Sequence, residues 1–464
     1  DALRARLERT DDGWSLTVPP AGDAVPVESL LEHRTLTPRI GTAEFDAALG
    51  EISREALSRL DPAAGRTAAF VWLESGSDPE SRSDDRDRLL IVLHHLVVDG
   101  VSWRILLPDL ATAWAQSSAG EPVALQPSGT SFRRWAHALR ERATSETVQA
   151  QLPHWRTALG AEQELFASRP LDPAVDTVAS LDRIDVTSPY PVTYAMLTTV
   201  PTTFRGGVND GLLTALALAV GQWERRRGNS ARSFAVNLEG HGREEELVPG
   251  ADLSRTVGWF TTMYPVRLDV TDVDLADALS GGGAAGTAIK AVKEQLSDVP
   301  DRGVGYGLLR HGPEPVIDAD APVPSVGFNY LGRVGTADVP EEIRAGGWFP
   351  DARHAALNGL RGDDVPVQVE IDVTAMVVDG EHGPTLRTTF EYPSTLFSRT
   401  EIEDLALVWS EALGALATHS AEPDAGGLTP SDVDLVRVGQ SVIESLETTY
   451  PGLEDIWPLA PLQA

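Results

Sequence analysis

The alternation of apolar and polar positions already divides the chain into elements. Residues 3–9 and 13–18 alternate around Thr10-Asp11-Asp12-Gly13, the pattern of a β-hairpin with a glycine-bearing turn. Segments 66–74 (RTAAFVWLE) and 88–96 (RLLIVLHHL) predict two more strands, joined by the polar loop SGSDPESRSDDRDR. The second is apolar on both faces from 89 to 93, as a strand inside a covered sheet is. A helix is predicted over 101–116, kinked or restarted at Pro108, which has no N–H to donate. Another is predicted over 131–142. Residues 160–190 are mixed, with proline and aspartate, and read as a connection between two lobes. The pattern then begins again, with a strand at 193–200 (TYAMLTTV), a helix at 210–227, a strand at 233–240 (SFAVNLEG) and a helix at 289–296. Two alternating strands, in 365–378 (VPVQVEIDVTAMVV) and 386–393 (LRTTFEYP), precede a final helix at 399–419. Mixed strands and helices in two similar runs predict a two-lobed α/β chain. Residues 420–464, with GGLTPSD and PLAPLQA, read as an exit linker.

Composition narrows the functional classes. The 464 residues exceed one compact core and suit two lobes. Apolar residues make up 42% of the chain, yet no stretch approaches 18 in a row, so no membrane-spanning helix is expected. The opening DALRARLERTDDGW lacks the basic and apolar regions of a signal peptide, and a cytoplasmic protein is expected. The absence of cysteine excludes disulfides, thiol catalysis and cysteine-ligated metal sites. The 38 basic residues against 69 acidic ones give a net charge of −31, which argues against nucleic-acid binding. Lys290 and Lys293 are the only lysines, so nearly all positive charge is arginine.

Several familiar signatures do not apply. GGGAAG (281–286) matches G-x-G-x-x-G in spelling but follows no clear strand, and reads as a flexible turn instead of a dinucleotide site. The chain contains no phosphate-loop, zincin or nucleophile-elbow motif. HHLVVDGVSW (94–103) is more informative. In an extended strand His94 and His95 project to opposite faces, one into the sheet layer and one towards a cavity. No third ligand stands at metal-binding spacing, so no metal is assigned. On local grounds a structural histidine and an acid/base both remain open, and position at a strand end favours chemistry. EGHGRE (239–244) follows another strand expected to be buried. Glycines flank His241, so the backbone can turn tightly and aim Glu239 into a dry cavity, where its pKa would rise.

Taken together, these blocks resemble the epimerization domains of nonribosomal peptide synthetases, within the condensation-domain superfamily. The resemblance covers nearly the whole chain. HHLVVDGVSW is similar to the superfamily's HHxxxDG signature; DGLLTA (210–215), EGHGRE, RTVGWFTTMYP (255–265), PDRGVGYG (300–307) and FNYLG (328–332) follow in family order. HHxxxDG is shared with peptide-bond-forming condensation domains, whereas EGHGRE with FNYLG is specific to epimerases. The resemblance implies two chloramphenicol-acetyltransferase-like α/β lobes forming a V-shaped pseudo-dimer with a tunnel between them. It implies inversion, L to D, of the α-carbon of an aminoacyl or peptidyl thioester. That substrate arrives on the 4′-phosphopantetheine arm of an upstream peptidyl carrier domain; the domain itself has no cofactor. The setting is the biosynthesis of an antibiotic or other secondary metabolite.

By the same resemblance His95 and Glu239 are the two acid/base groups on opposite sides of the α-carbon, and Tyr330 completes the site. His94, Asp99, Gly100, Asn329 and His241 support it: Asp99 as an acceptor for an arginine, Gly100 at a tight turn, His241 through a backbone hydrogen bond. The helix N-terminus beyond Gly100 would favour a developing enolate. Ser102, Trp103, Trp259 and Phe260 are assigned to the tunnel or substrate contact. The implied N-terminal lobe is 1–170, with its first strand and helix absent, and the C-terminal lobe is 171–425. Residues 426–464 form a linker into a following condensation domain, which EDIWPLAPLQ resembles. FNYLGRVG and Pro108 depart from the family pattern without touching His95, Glu239 or Tyr330.

Overall fold

Eleven strands and their intervening helices are recorded in a computed structural model that describes residues 2–11, 13–38, 41–75, 87–160, 166–318, 320–334, 347–348, 351, 361–380 and 383–459. The polar loop expected between the strands at 66–74 and 88–96 falls largely at 76–86, outside the described residues. So do Gly335 and the last five residues of the tail. The chain divides into two compact units. One comprises Asp1–Glu141, His241–Thr261 and Gly335–Val365; the other comprises Arg142–Gly240, Thr262–Val334 and Pro366–Ala464.

In the first unit, β1 (Arg6–Thr10) and β2 (Gly13–Thr17) form the expected antiparallel hairpin. A three-stranded sheet has the order β3 (Leu31–Leu36), β4 (Ala68–Ser75), β5 (Arg88–Leu93), with β3 parallel and β5 antiparallel to β4. The Ala43–Ser58 helix, capped by the Thr42 hydroxyl, packs Phe45, Leu49, Ile52 and Ala56 against Ala69, Val71 and Leu73 of that sheet. Neither β3 nor this helix is evident in the sequence pattern. The Gly100–Ser118 helix runs through Pro108 without restarting. It starts sharply because Asp99 and Ser102 form a reciprocal capping box.

The second unit is built on a six-stranded sheet. Its order is β6 (Leu181–Ser188), β11 (Gly383–Pro393), β10 (Ile371–Gly380), β9 (Val326–Val334), β7 (Ser233–Gly240), β8 (Thr262–Asp269). The pairs β7–β9 and β9–β10 are parallel and the others antiparallel. Period-two alternation puts Ile371, Val373, Ala375 and Val377 of β10 and Phe234, Val236 and Leu238 of β7 into one core. Leu212, Leu213, Leu216 and Leu218 of the Val208–Arg226 helix join it, as do Val408, Trp409 and Leu413 of the Arg399–Ser420 helix. Each leucine fully withdrawn from water contributes about 1.5–3 kcal/mol.

Four expectations change. TYAMLTTV is not a strand: Tyr190–Tyr194, Ala195–Thr199 and Val200–Phe204 are successive helical turns. Its β-branched residues suit a strand locally, but the helix seats Met196, Val200 and Phe204 in the core, and that packing overrides propensity. The supposed connection at 160–190 contains edge strand β6, which pairs with β11 from Leu181 to Ser188. GGGAAG is the beginning of the Gly283–Ser297 helix, earlier than expected, with Gly282 as its N-cap and Gly281 at φ +81°. The segment read as an exit linker carries the Gln440–Thr449 helix, and Leu428, Val433 and Ile443 form a small buried cluster there.

Candidate active site

The HHxxxDG segment leaves the sheet earlier than its alternation indicates. Strand β5 ends at Leu93, and His95–Val97 form a short 3-10 turn, so the two histidines are not consecutive strand residues facing opposite ways. His94 caps the turn: its Nδ1 accepts the Leu96 N–H at 3.1 Å. Burial, with the charge of His95 second, pushes His94 below the ordinary histidine value of 6.5. His95 is exposed, and its ring lies 5.4 Å, centroid to centroid, from that of Trp259. Val97 and Val98 anchor the turn in a small cluster with Ala2 and Ala5.

Asp99 is buried behind this turn, and its carboxylate gathers donors from three places. Its Oδ1 accepts from Ser102 N at 2.7 Å, and its Oδ2 from Phe260 N at 3.2 Å. Both oxygens lie 3.0 Å from Nη2 of Arg243. Arg243 in turn donates through Nη1 to the carbonyls of Leu253 and Thr256, at 2.9 and 2.8 Å, and stacks over Phe260 at 4.1 Å. The Ser102 hydroxyl lies 2.8 Å from Asp99 Oδ1 and 3.0 Å from the Gly258 carbonyl, and accepts the Gly258 N–H at 3.2 Å. Gly258 has no room for a side chain, since a Cβ there would sit 2.6 Å from the Phe132 ring. One buried ion pair thus bolts the 243–260 loop to the HHxxxDG loop and brings Trp259 against His95.

This arrangement revises several assignments. Ser102 and Phe260 are buried and hold the loop in place; Trp259 is exposed, at 40%, and Trp103 is half-buried on the first helical turn. The N-terminus of the Gly100–Ser118 helix is already compensated by the Asp99 carboxylate, which removes the basis for assigning it to an enolate. The arginine expected for Asp99, unnamed from the sequence, is Arg243. Its signal was a single basic residue at the head of the acidic run 244–246. His241 Nδ1 accepts the Arg243 N–H at 3.0 Å, and its Nε2 lies 3.4 Å from Glu244 Oε1, so both ring nitrogens are engaged.

In the second unit Glu239 stands at the end of β7, on the parity opposite Leu238 and the core. It is exposed, not enclosed in a dry cavity as expected. The parallel pairing of β7 with β9 sets Leu238 beside Phe328. The next register position brings Asn329 to it, and Asn329 Nδ2 donates to Glu239 Oε2 at 2.6 Å. Tyr330, one residue on, packs half-buried against the core cluster, and burial pushes its phenol above the ordinary value of 10. Beside β8, Asp301, Arg302 and Gly303 are consecutive left-handed residues, at φ +46°, +47° and +87°. Gly303 is required, because a Cβ there would collide with the Tyr264 ring at 1.9 Å. Asp301 is held by Arg142 at 3.1 Å and Gln151 at 2.9 Å. Among the described residues no cluster of three metal-ligating side chains forms, and no helix is long and apolar enough to cross a membrane.

A condensation-domain model matches residues 81–434, and the chain belongs to that family. Over its full length it is 36% identical to a linear gramicidin synthase protein of Brevibacillus parabrevis and 34% identical to chondramide synthase of Chondromyces crocatus. It spans only 6% and 11% of those two proteins. The epimerization domain from the third module of tyrocidine synthetase B has a similar structure. Its TM-score is 0.72 at 26% identity, covering 91% of this chain and 86% of that one. The first condensation domain of the CDA synthetase, at TM-score 0.58 and 18% identity, shares the fold, covering 92% of this chain and 85% of that one. The fold is therefore the mixed α/β, chloramphenicol-acetyltransferase-like fold of condensation domains.

Proposed function

We propose that the chain is an epimerization domain. It would invert the α-carbon of an aminoacyl or peptidyl thioester held on the phosphopantetheine arm of an upstream carrier domain, for a downstream condensation domain to use. The observation that carries this reading is the Asn329–Glu239 hydrogen bond. It joins FNYLG and EGHGRE, the two blocks whose spelling separates epimerases from condensing domains, across the neighbouring strands β9 and β7. The similarity to the tyrocidine epimerization domain supports the same reading.

In the proposed mechanism His95 and Glu239 serve opposite faces of the α-carbon. One takes the α-proton, its electron pair passes into the thioester carbonyl, and the other returns a proton to the opposite face. The C–H bond broken is matched by an N–H or O–H bond formed on the first group, and the new C–H bond by one broken on the second. The two groups end with protonation states exchanged and are reset by proton exchange with water. Inversion needs two groups, because a single base returning its own proton restores the original configuration. Asn329 orients the Glu239 carboxylate, and Tyr330 supplies a hydrogen bond or relays a proton. Trp259 covers one side of His95, and the Asp99–Arg243 pair fixes the loop carrying it. The lobes assigned are 1–170 and 171–425, with 426–464 leading onward.

Chiral analysis of the amino acid released from the carrier, with the wild-type chain and with His95→Ala, tests the proposal. Wild type should convert an L-aminoacyl thioester into an L/D mixture, and the variant should leave it L. No D product from wild type would overturn the epimerase reading in favour of a condensing or silent domain. Unchanged D content in the variant would remove His95 from the mechanism.

A further inference from the structure

The PDRGVGYG block has no part in the chemistry proposed above, yet it contains the longest run of left-handed backbone among the described residues. Non-glycine residues there take positive φ only at Arg205, Asp301 and Arg302, and the last two lead directly into Gly303 at φ +87°. Such a run crowds each Cβ against the following carbonyl, so its surroundings must hold it. The holders lie between residues 142 and 155. Nη2 of Arg142 and Nε2 of the buried Gln151 both donate to Asp301 Oδ2, at 3.1 and 2.9 Å. Gln151 is itself fixed, because its Oε1 accepts from Trp155 Nε1 at 3.3 Å. Gly305 completes the fit: a Cβ there would stand 1.8 Å from that same Oε1. Tyr306 and Leu309, in the Val304–His311 helix after the turn, share a buried cluster with Val148 and Trp155.

The turn presses on the strand end that carries Glu239. Pairing of β7 with β9 stops at Leu238, and beyond it β7 pairs with β8 alone, where Glu239 faces Met263 and Gly240 faces Thr262. No side chain fits at Gly240. A Cβ there would meet the Thr262 hydroxyl at 2.8 Å, the Tyr264 ring at 3.3 Å and the Arg302 carbonyl at 3.6 Å. The Tyr264 ring also fills the space that a Cβ at Gly303 would need. Turn, ring and strand end thus form one stack, Arg302 and Gly303 on Tyr264 and Gly240, with Glu239 the next residue. All of these residues belong to the second unit.

We propose that the left-handed turn is a positioning device for Glu239, with Asp301 as its latch. The assignment rests on the epimerase reading and adds Asp301 to it as a positioning residue. Asp301 does not touch the substrate. It keeps Arg302 and Gly303 against Tyr264 and Gly240, which fixes the backbone of Glu239, while Asn329 orients the Glu239 carboxylate. A base must stand within hydrogen-bond reach of the proton it takes, and a displacement of about 1 Å costs up to about a hundredfold in rate. The turn stiffens the stretch of β7 that has lost its pairing with β9.

The test compares Asp301→Ala with Asp301→Asn. Asparagine keeps an acceptor for Arg142 and Gln151 and tolerates left-handed backbone better than alanine. α-Hydrogen exchange with solvent is followed separately from the L- and the D-aminoacyl thioester on a holo-carrier domain. Hydrogen–deuterium exchange mass spectrometry follows the backbone amides of β7. Alanine should slow α-hydrogen exchange about ten- to a hundredfold from the enantiomer that Glu239→Gln also slows more, and asparagine should keep most of the rate. Amide exchange should quicken at 239–240 and stay unchanged at 234–238. Unchanged α-hydrogen exchange in Asp301→Ala would overturn the proposal. So would equal slowing from both enantiomers, or faster amide exchange along all of β7, since either marks a general loss of stability. If Asp301→Ala does not fold, Arg142→Gln, which removes one of the two donors, is judged by the same criteria. A wild-type chain that exchanges neither enantiomer would sink the epimerase reading, while the amide exchange would still decide whether the turn holds the strand end.

Discussion

Replacing Asp99 by alanine should damage this protein more than almost any other single change in the first unit. The carboxylate is 3% exposed and its partner Arg243 has 8% of its side chain exposed, so the pair is screened little by water. Alanine would leave a buried guanidinium without its counter-charge, a loss of about 3–5 kcal/mol. The cap of the Gly100–Ser118 helix would go at the same time, a change of about 1 kcal/mol that overlaps the first and does not simply add. Asp99→Asn keeps the shape and an acceptor for Ser102 N, and should cost less than alanine. The diagnostic variant is the double replacement Asp99→Leu with Arg243→Met, which removes the orphaned charge and should recover much of the loss. Urea unfolding near neutral pH measures all three, and α-hydrogen exchange on a small thioester reports whether Trp259 and His95 remain in register. A loss below about 1 kcal/mol in Asp99→Ala, or a double variant less stable than both single ones, would refute the account of the ion pair as the bolt between the loops.

Other expectations follow from the same reasoning. Asp432→Ala should destabilise the second unit by about 3–5 kcal/mol on urea unfolding, because Lys293 is 7% exposed and Asp432 is its carboxylate partner. His94, His154, His311 and His419 are all held below their ordinary 6.5, with burial the leading cause. The unfolded chain then binds more protons around and below pH 6.5, so stability should be full above that value and decline as pH falls through it towards the folded pKa values. Thermal unfolding between about pH 7.5 and 5 checks this, and His94→Gln should flatten part of the slope. If His95 and Glu239 act on opposite faces, His95→Ala and Glu239→Gln should slow the L-to-D and D-to-L reactions unequally. Equal losses in both directions would leave the two-base mechanism without support.

Much of the architecture was legible in the linear pattern. The β1–β2 hairpin, β7, β10 and β11 and the Gly100–Ser118, Val208–Arg226 and Arg399–Ser420 helices announced themselves by their apolar pattern, whereas the Ala43–Ser58 helix did not. TYAMLTTV misled because local β propensity and core packing disagreed, and packing decided. Edge strand β6 was missed because its polar, aspartate-bearing positions look like a loop until β11 supplies its hydrogen bonds.

Motif order along the chain was enough to place it among condensation-type domains and to nominate His95, Glu239 and Asp99. They could be nominated without coordinates because acid/base chemistry draws on few side-chain types and the motifs carry those types in order. Their surroundings are not written locally. Only tertiary contact makes Arg243, 144 positions from Asp99, the partner of that carboxylate, and brings Asn329, 90 positions away, to Glu239. It also exposes Glu239, caps His94 in a turn instead of a strand, and turns Ser102 inward. Burial and pairing are properties of neighbours in space, and a sequence orders only neighbours along the chain.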